Sequence, residues 1–314
     1  MITAPPNSSR QLQADVNSLG RGLLVVGDQW SMLVVREAFR HARRFQDFKD
    51  RLGLSDPVLA QRLRDLVADG VFETHEYSQR PRRSEYRLTE QGRELWAVFV
   101  AICEWELRWG RTGSGPAPRL LHHECDNKIT PLLGCGSCGA VGVTHRHTRA
   151  QRRPGSTFAQ SNPARRYRRS TRRPHDSDGR MSQAVLEVLG DRWTVSVLGG
   201  GMLGLRRFGE FQSELEISPY LLSERLQSFV DNGVMEHVLV AEDGRRKEYR
   251  LLPKGLDMMP VFATTNAWAN RWYPDPKGPA LQIMHEACGQ LFDPSWWCNA
   301  CGQRLERAAI HYEP

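Results

Sequence analysis

The sequence has no long apolar run and no apolar segment near its start. Of its 314 residues 25% are charged, and residues 1–10 are polar and rich in proline and serine. A membrane-spanning helix needs about 20 mostly apolar residues, and a secretory signal needs an apolar core of about 7–15. The composition therefore argues against both, and we expect a cytoplasmic protein whose thiols stay reduced.

The sequence also lacks a glycine-rich phosphate loop and a recognisable Ser/His/Asp set. The run Gly199–Gly200–Gly201 is not a phosphate loop, because it falls inside a segment with a helical pattern. Each glycine in a helix interior costs about 1 kcal/mol relative to alanine. The run therefore predicts either a close helix contact or a weaker domain.

Acidic residues are scarce in residues 142–180, which hold eleven arginines but only Asp176 and Asp178. This segment has a net charge of +9, whereas the whole chain has a net charge of +7, so the rest of the chain has a net charge of −2. It has no hydrophobic period and is interspersed with Pro, Ser, Gly and Thr, which predicts a flexible linker. The linker is either a solvated tether or a basic arm that adds affinity for a nucleic acid without much sequence preference.

The chain matches itself when it is shifted by 163 residues. The shift aligns Gly27–Trp30 with Gly190–Trp193, Glu85–Leu88 with Glu248–Leu251, and Trp105 and Trp109 with Trp268 and Trp272. This period is too long for a solenoid repeat, and each copy is large enough to bury its own core. The sequence therefore predicts two copies of one domain.

Each copy has the pattern of a helix-turn-helix followed by a hairpin. In the first copy, apolar periodicity predicts helices over residues 11–26, 30–40, 44–52 and 55–70. Two strands and a long helix follow at residues 71–77, 85–89 and 91–109. The helix at 55–70 has Ser55 as N-cap, Pro57 in its first turn and Gly70 at its end. We predict a mainly α fold with small β-hairpins, an α+β protein with two winged helix-turn-helix domains.

The motifs that carry a family resemblance are Gly27–Trp30, Arg44–Phe45, Leu59–Leu66, Tyr86–Gly92 and a closing tryptophan. Over residues 16–109 and 180–272 the chain resembles the HxlR family of bacterial winged-helix regulators. The resemblance implies a dimeric DNA-binding transcription regulator that pairs through its first and last helices. Redox-sensing members have a cysteine in the first helix, where this chain has Asn17 and Arg180, so the resemblance does not support thiol sensing by that route.

Six of the seven cysteines follow the two winged helices in one repeated pattern, His-x-x-Cys, nine residues, then Cys-x-x-Cys. The members are His122, Cys125, Cys135 and Cys138 in the first copy, and His285, Cys288, Cys298 and Cys301 in the second. Cys-x-x-Cys places two thiolates on one tight turn, and a second pair completes a tetrahedron. We predict one structural Zn²⁺ within each copy; free thiols or a disulfide are the alternative.

An enzymatic interpretation of these cysteines is weaker. His122-His123-Glu124 with Cys135-x-x-Cys138 faintly echoes the zinc deaminase signature. However, Gly134 rather than proline precedes Cys135, the gap is too short for the intervening strand and helix, and Ala287 replaces the glutamate in the second copy. We therefore predict that the chain is not an enzyme.

The predicted segments are a winged helix (11–110), a zinc-knuckle tail (119–141), the linker (142–180), a second winged helix (181–273) and a second tail (281–308). Each recognition helix is expected to enter a major groove of double-stranded DNA, with half-sites about 34 Å apart. The base-reading candidates are Asp56, Pro57, Val58, Gln61, Pro219, Tyr220 and Glu224. The phosphate candidates are Arg62 and Arg225 on the helix shoulders and Arg82, Arg83, Arg245 and Arg246 in the wings.

Because the two recognition helices differ, the sequence predicts an internal pseudo-dimer on two unequal half-sites. Further homodimerisation through the long C-terminal helices is left open, and no membrane partner is expected. The alternative function is a zinc-stabilised module that binds protein, with an Arg-rich tether that binds RNA. The near-neutral charge of the domains keeps this alternative open.

Overall fold

The computed structural model describes residues 16–79, 82–110, 119–157, 185, 189, 192–239 and 247–313. The helices of the first half are α1 (Ser18–Val26), α2 (Gln29–Phe39), α3 (Phe45–Leu52), α4 (Asp56–Ala68), α5 (Glu90–Glu94) and α6 (Trp96–Trp109). Its strands are β1 (Phe72–Gln79), β2 (Arg82–Leu88), β3 (Arg119–His122), β4 (Asn127–Ile129), β5 (Leu132–Cys135) and β6 (Thr148–Arg152).

The second half repeats this order. Its helices are α7 (Arg192–Met202), α8 (Phe208–Leu215), α9 (Pro219–Asp231), α10 (Pro253–Leu256) and α11 (Met259–Trp272). Its strands are β7 (Met235–Leu239), β8 (Lys247–Leu251), β9 (Leu281–His285), β10 (Gln290–Leu291), β11 (Pro294–Trp297) and β12 (Ile310–Glu313). The predicted class is confirmed: two winged helix-turn-helix units, each followed by a small cysteine-containing tail. Within the described ranges, no helix is long and apolar enough to cross a membrane.

The helix-turn-helix of the first half forms because its helices bury one apolar stripe each. In α4, Leu59, Leu63 and Leu66 are buried in the core, as their i, i+4, i+7 spacing predicts. The turn before α4 requires a left-handed residue, which is Gly53 with φ of 60°. The second half has Glu216 at this position with φ of 51°, so its turn is more strained.

The long helix predicted after each wing is split in two. In the first half, α5 ends at Glu94 and α6 begins at Trp96. Gly92 explains the tight approach of this segment to the wing, because a Cβ there would lie 2.2 Å from the Val71 carbonyl oxygen. The short α5 therefore packs against the start of the wing, and α6 carries the tryptophan face.

The two halves pack through α5–α6 of one half and α10–α11 of the other. Trp105 Nε1 donates to the Lys254 carbonyl oxygen at 3.0 Å. Its repeat partner Trp268 donates to the Gln91 carbonyl oxygen at 2.9 Å. Because Lys254 lies 163 residues after Gln91, these bonds are the same contact made in both directions. Such reciprocity is the signature of a two-fold, isologous interface.

A second pair of contacts repeats this symmetry. Trp109 Nε1 donates to Asp257 Oδ2 at 2.9 Å, and Trp272 Nε1 donates to Glu94 Oε2 at 2.7 Å. The tryptophan faces of α6 and α11 are thus occupied within one chain. They are not free for the further homodimerisation through these helices that the sequence left open.

The tails of the two halves are interleaved rather than separate. Strand order is β12–β3–β4 in one sheet, β10–β9–β6 in another, and β11–β5 in a third, with all pairs antiparallel. Each sheet therefore contains strands from both halves. The swap is symmetric, because β6 leaves the first half to pair with β9 while β12 leaves the second half to pair with β3.

This arrangement corrects the predicted flexible linker at 142–180. Residues 142–157 are folded, with β6 paired to β9 and Arg153 N donating to the Ala280 carbonyl oxygen at 3.0 Å. At the end of β6, Arg152 pairs with Glu214 of α8 in the second half at 2.7 Å. Residues 158–180 lie outside the described ranges.

Candidate metal centres and recognition helices

Two clusters of one histidine and three cysteines lie in the interleaved tails. One contains His122, Cys125, Cys298 and Cys301, and the other contains Cys135, Cys138, His285 and Cys288. The donor atoms of each cluster lie within 4.8 Å of one another. All eight predicted ligands are thus brought together, and either cluster could hold a metal ion. His123 is exposed and packs near His311 instead, so the choice of His122 over His123 is consistent with the structure.

The predicted grouping of these ligands is wrong. The spacing in the sequence predicts one site within each copy, whereas each cluster combines His-x-x-Cys of one half with Cys-x-x-Cys of the other. The cause is the pairing of β5 with β11, which sets Cys135 beside Pro294. Each Cys-x-x-Cys turn is thereby carried to the His-x-x-Cys turn of the opposite half.

The distances within the first cluster are short and even. His122 Nδ1 lies 3.2 Å from Cys125 Sγ and 3.5 Å from Cys301 Sγ, and Cys125 Sγ lies 3.8 Å from Cys298 Sγ. In the second cluster His285 Nδ1 lies 3.3 Å from Cys288 Sγ and 3.4 Å from Cys138 Sγ. Both histidines are almost fully buried, so each ring is fixed with Nδ1 facing the thiols.

The local backbone holds the thiols in place. Gly139 and Gly302 follow the two Cys-x-x-Cys turns with φ of 74° and 75°, a conformation that favours glycine. In the second turn the backbone N–H groups of Ala300 and Cys301 both donate to Cys298 Sγ at 3.4 Å. Such N–H donors stabilise a thiolate over a thiol.

The acidities of the cysteines differ within a cluster. Burial acts to raise the pKa of Cys125, but hydrogen bonds with Asn127 and His122 outweigh it, and the pKa falls to about 6. Cys135 is affected in the same way: burial opposes ionisation, while backbone N–H groups lower its pKa. At Cys138 a backbone hydrogen bond lowers the pKa, yet burial and the neighbouring thiols raise it overall. A cation among the thiols would favour their ionised form.

The recognition helices present their expected faces to solvent. Asp56, Pro57, Val58 and Gln61 on α4 are exposed, and so are Pro219, Tyr220 and Glu224 on α9. Tyr220 stands out, because 79% of its surface is accessible. Asp56 is paired with Lys49 at 2.8 Å, and Gln61 Nε2 donates to Asp65 Oδ2 at 3.0 Å.

Arg62 and Arg225 do not lie on an exposed shoulder, so their expected position is wrong. They are 4% and 6% exposed, and Arg62 Nη2 lies 3.3 Å from Asp28 Oδ1. Arg62 comes three residues after Leu59 and four before Leu66, which places it on the buried side of α4. Arg225 Nη1 pairs with Glu224 Oε1 at 3.2 Å. Both guanidinium groups are structural, and phosphate contact by them is not supported.

The wing arginines are only partly described. Arg83 is exposed, and Arg82 begins β2. Arg245 and Arg246 lie outside the described ranges. Sequence reasoning missed Arg64, which is exposed on α4 and donates through Nη2 to Gln61 Oε1 at 2.7 Å. Its position three residues after Gln61 on an exposed helix face was the signal that could have identified it.

A helix-turn-helix with an exposed second helix and a following hairpin defines the winged-helix class of DNA-binding modules. The model of the HxlR-like helix-turn-helix family matches residues 25–114 and 188–277, more than half of the chain. The chain belongs to the HxlR-like helix-turn-helix family, and it carries the family domain twice. This membership places it among DNA-binding regulators of the helix-turn-helix type.

Several curated sequences and solved structures are similar to this chain. An uncharacterized HTH-type transcriptional regulator of Mycobacterium tuberculosis H37Rv is 41% identical over 138 residues, which are 44% of this chain and 87% of that protein. The HTH-type regulator YtcD of Bacillus subtilis is 32% identical over 84 residues, 26% of this chain and 67% of YtcD. The crystal structure titled PA1607, a Putative Transcription Factor, is 32% identical to this chain. The match covers 38% of this chain and 84% of that chain, with a TM-score of 0.34.

Proposed function

We propose that this chain is a sequence-specific transcription regulator whose two winged helices bind two unequal half-sites as an internal pseudo-dimer. The observation that carries the proposal is the reciprocal packing of the halves, in which Trp105 and Trp268 make the same contact in opposite directions. A two-fold arrangement of recognition helices matches the two-fold symmetry of duplex DNA, with half-sites about one helical turn, 34 Å, apart.

The half-sites are unequal because the exposed faces differ. At the first turn of the recognition helix, α4 presents Pro57 where α9 presents the exposed ring of Tyr220. One turn later, α4 presents Gln61 and α9 presents Glu224. Gln61 reads adenine and Glu224 accepts from the cytosine amino group in this proposal, whereas Tyr220 packs against a thymine methyl or the sugar. Arg64 and Arg83 bind phosphate.

We also propose that each cluster binds Zn²⁺ as a structural ion. Around a tetrahedral zinc with Zn–S of about 2.3 Å and Zn–N of about 2.0 Å, sulfurs lie about 3.8 Å apart and S···N distances are about 3.5 Å. The observed 3.8 Å between Cys125 and Cys298 and 3.2–3.5 Å between His122 and its thiols agree with this. Four protein donors fill the coordination shell, which supports a structural role and no catalytic one.

Because each site is shared, zinc would join the two halves. The tails are short and rich in polar residues, so metal binding supplies much of the free energy that folds them. The metal thus fixes the relative position of the two winged helices in this proposal. A DNA-binding protein of this kind needs that position to be fixed, since half-site spacing depends on it.

The proposal is tested by selecting DNA sequences from a random pool with the purified zinc-bound chain, followed by footprinting of the selected site. We expect protection of two different half-sites about one turn apart, and affinity that falls with salt while sequence preference remains. The Gln61→Ala, Glu224→Ala double variant should lose this preference and keep weak binding. Binding without preference that persists in the double variant would reject the proposal and favour the protein- and RNA-binding alternative.

A further inference from the structure

A cavity of about 190 Å³ lies where α1 and β6 of the first half pack against α7, α11 and β9 of the second. Its walls are mostly apolar and include Leu23, Val195, Met259, Phe262 and Ile283. Sites for drug-sized ligands usually have about 300–1,000 Å³, whereas an apolar cavity of roughly 150 Å³ stays dry and accepts benzene. The size and lining therefore fit a molecule with one ring.

The lack of a side chain at Gly199 leaves space in this cavity, and no close packing contact requires a glycine at this position. A Cβ at Gly200 would lie 2.9 Å from Leu205, and one at Gly201 would lie 2.9 Å from Met235, so close packing explains these two glycines. A Cβ at Gly199 would meet only the Phe262 ring, at an ordinary 3.4 Å. Since glycine in a helix interior costs about 1 kcal/mol relative to alanine, the evident effect of Gly199 is space in the cavity.

The first half has larger side chains at the matching positions: Arg36 for Gly199, Phe39 for Met202 and Trp96 for Met259. There, the Phe39 ring meets Phe99 edge-on at 5.4 Å, and the Arg307 guanidinium lies over Phe39 at 5.9 Å. Among the described residues, bulky groups around Phe39 thus occupy space that Gly199 and Met202 leave open beside this cavity.

One residue of the cavity lining carries a buried polar atom that makes no hydrogen bond to the described residues. The residue is His145, and the atom is its Nδ1. A buried polar atom left unsatisfied costs about 1–3 kcal/mol. A neutral imidazole nitrogen can accept from a hydroxyl group or donate to a carbonyl group, depending on the tautomer.

We propose that this cavity binds a neutral, single-ring aromatic compound that carries one hydroxyl or carbonyl group. The ring lies against Phe262 in the space opened by Gly199, and the polar group bonds His145 Nδ1. The ligand contacts both halves, because Leu23 belongs to α1 and Met259 to α11. Ligand binding stands independently of the DNA function proposed above.

The test is calorimetric titration of the full metal-bound chain with benzyl alcohol, toluene and benzoate. We expect saturable one-to-one binding of benzyl alcohol and about three- to tenfold weaker binding of toluene, which lacks the hydrogen-bonding group. Benzoate should bind more weakly than benzyl alcohol, because its charge would be desolvated against mostly apolar walls while Arg152, which also lines the cavity, is already paired with Glu214. Gly199→Leu should weaken binding at least about tenfold by filling the space. Gly209→Leu is the matched control, since Gly209 is exposed and a side chain there meets open space.

The His145→Phe variant keeps a ring of similar size and removes the nitrogen, so it should bind benzyl alcohol and toluene equally. Absence of saturable binding by the unmodified chain to all three compounds would overturn the proposal. Unchanged binding by a folded Gly199→Leu variant would overturn it as well, because the compound would then sit elsewhere. If Gly199→Leu does not fold by circular dichroism, the His145→Phe comparison decides: a retained preference for benzyl alcohol rejects the site.

Discussion

Pairs of cysteine substitutions distinguish a shared metal site from one confined to a single copy. Cys125 and Cys301 belong to the same cluster but to different halves, whereas Cys125 and Cys138 belong to the same half but to different clusters. The Cys125→Ser, Cys301→Ser variant should therefore damage one cluster and keep one zinc ion. The Cys125→Ser, Cys138→Ser variant should damage both clusters and keep none.

The size of the effect follows from the number of ligands. Structural zinc binds with roughly 10–16 kcal/mol in four-ligand sites, so the loss of one ligand of four removes about 3 kcal/mol. A loss of 3 kcal/mol weakens binding by about a hundredfold. A chelator of intermediate affinity therefore removes zinc from a three-ligand site and leaves it in an intact one.

The assay is zinc content after dialysis against that chelator, measured by inductively coupled plasma mass spectrometry. The unmodified chain should hold two zinc ions, and so should Cys103→Ser, because Cys103 is buried in α6 outside both clusters. One ion in the Cys125→Ser, Cys138→Ser variant together with none in the Cys125→Ser, Cys301→Ser variant would refute the sharing of each metal site between the two halves. That result would restore the grouping within each copy.

Three further predictions concern stability, and urea unfolding measures each of them. Glu216→Gly should stabilise the chain by about 1 kcal/mol, since glycine adopts the left-handed conformation without strain. Gly53→Ala should destabilise the chain for the same reason. Unchanged stability in either variant would show that these turns are not strained. Asp28→Asn should cost about 3 kcal/mol, because it removes the carboxylate that lies 3.3 Å from the buried Arg62 guanidinium. A loss below about 1 kcal/mol would contradict a structural role for this pair. Asp47→Ala should cost about 0.5–1 kcal/mol at neutral pH, because two backbone N–H groups at the start of α3 lower the pKa of Asp47. A carboxyl group whose pKa is lowered by folding stabilises the protein above its ordinary pKa, and this stabilisation is lost as the pH falls. The stability difference between Asp47→Ala and the unmodified chain should therefore shrink below about pH 4. A difference that persists in acid would contradict a role for the ionised Asp47 carboxylate.

The fold of each half was predictable because its signals are local. The spacing of Leu59, Leu63 and Leu66 predicts the buried face of α4, and the glycine at position 53 predicts the turn before it. The eight candidate metal ligands were predictable for the same reason, since each His-x-x-Cys and each Cys-x-x-Cys turn is fixed by neighbours in sequence. Because the second copy repeats these patterns, its fold and its cysteine and histidine turns were predictable in the same way.

The grouping of the ligands was not predictable from spacing. Both copies have identical spacing, so a cluster within one copy and a cluster across copies satisfy it equally. The choice depends on the pairing of β5 with β11, which is a contact between residues about 160 apart. The register of this strand pair is decided by the packing of the two halves. For example, the Trp297 ring occupies the space beside Gly134. The local sequence pattern carries no information about such contacts.

The burial of Arg62 and the folding of residues 142–157 were missed for a related reason. A charged residue and a basic, irregular segment are usually exposed. Here the Arg62 guanidinium pairs with Asp28, which lies 34 residues away, and β6 pairs with β9 of the other half. Both outcomes depend on partners that are distant in sequence.

The most direct test of the central claim is to measure which half-site each recognition helix reads. Gln61→Ala and Glu224→Ala single variants are titrated against the selected DNA site and against copies with substitutions in one half-site at a time. Gln61→Ala should reduce discrimination in one half-site only and Glu224→Ala in the other only, each by about 1–3 kcal/mol per base pair. If both variants affect the same half-site, or if neither changes discrimination, the two helices do not read two unequal half-sites and the account is contradicted.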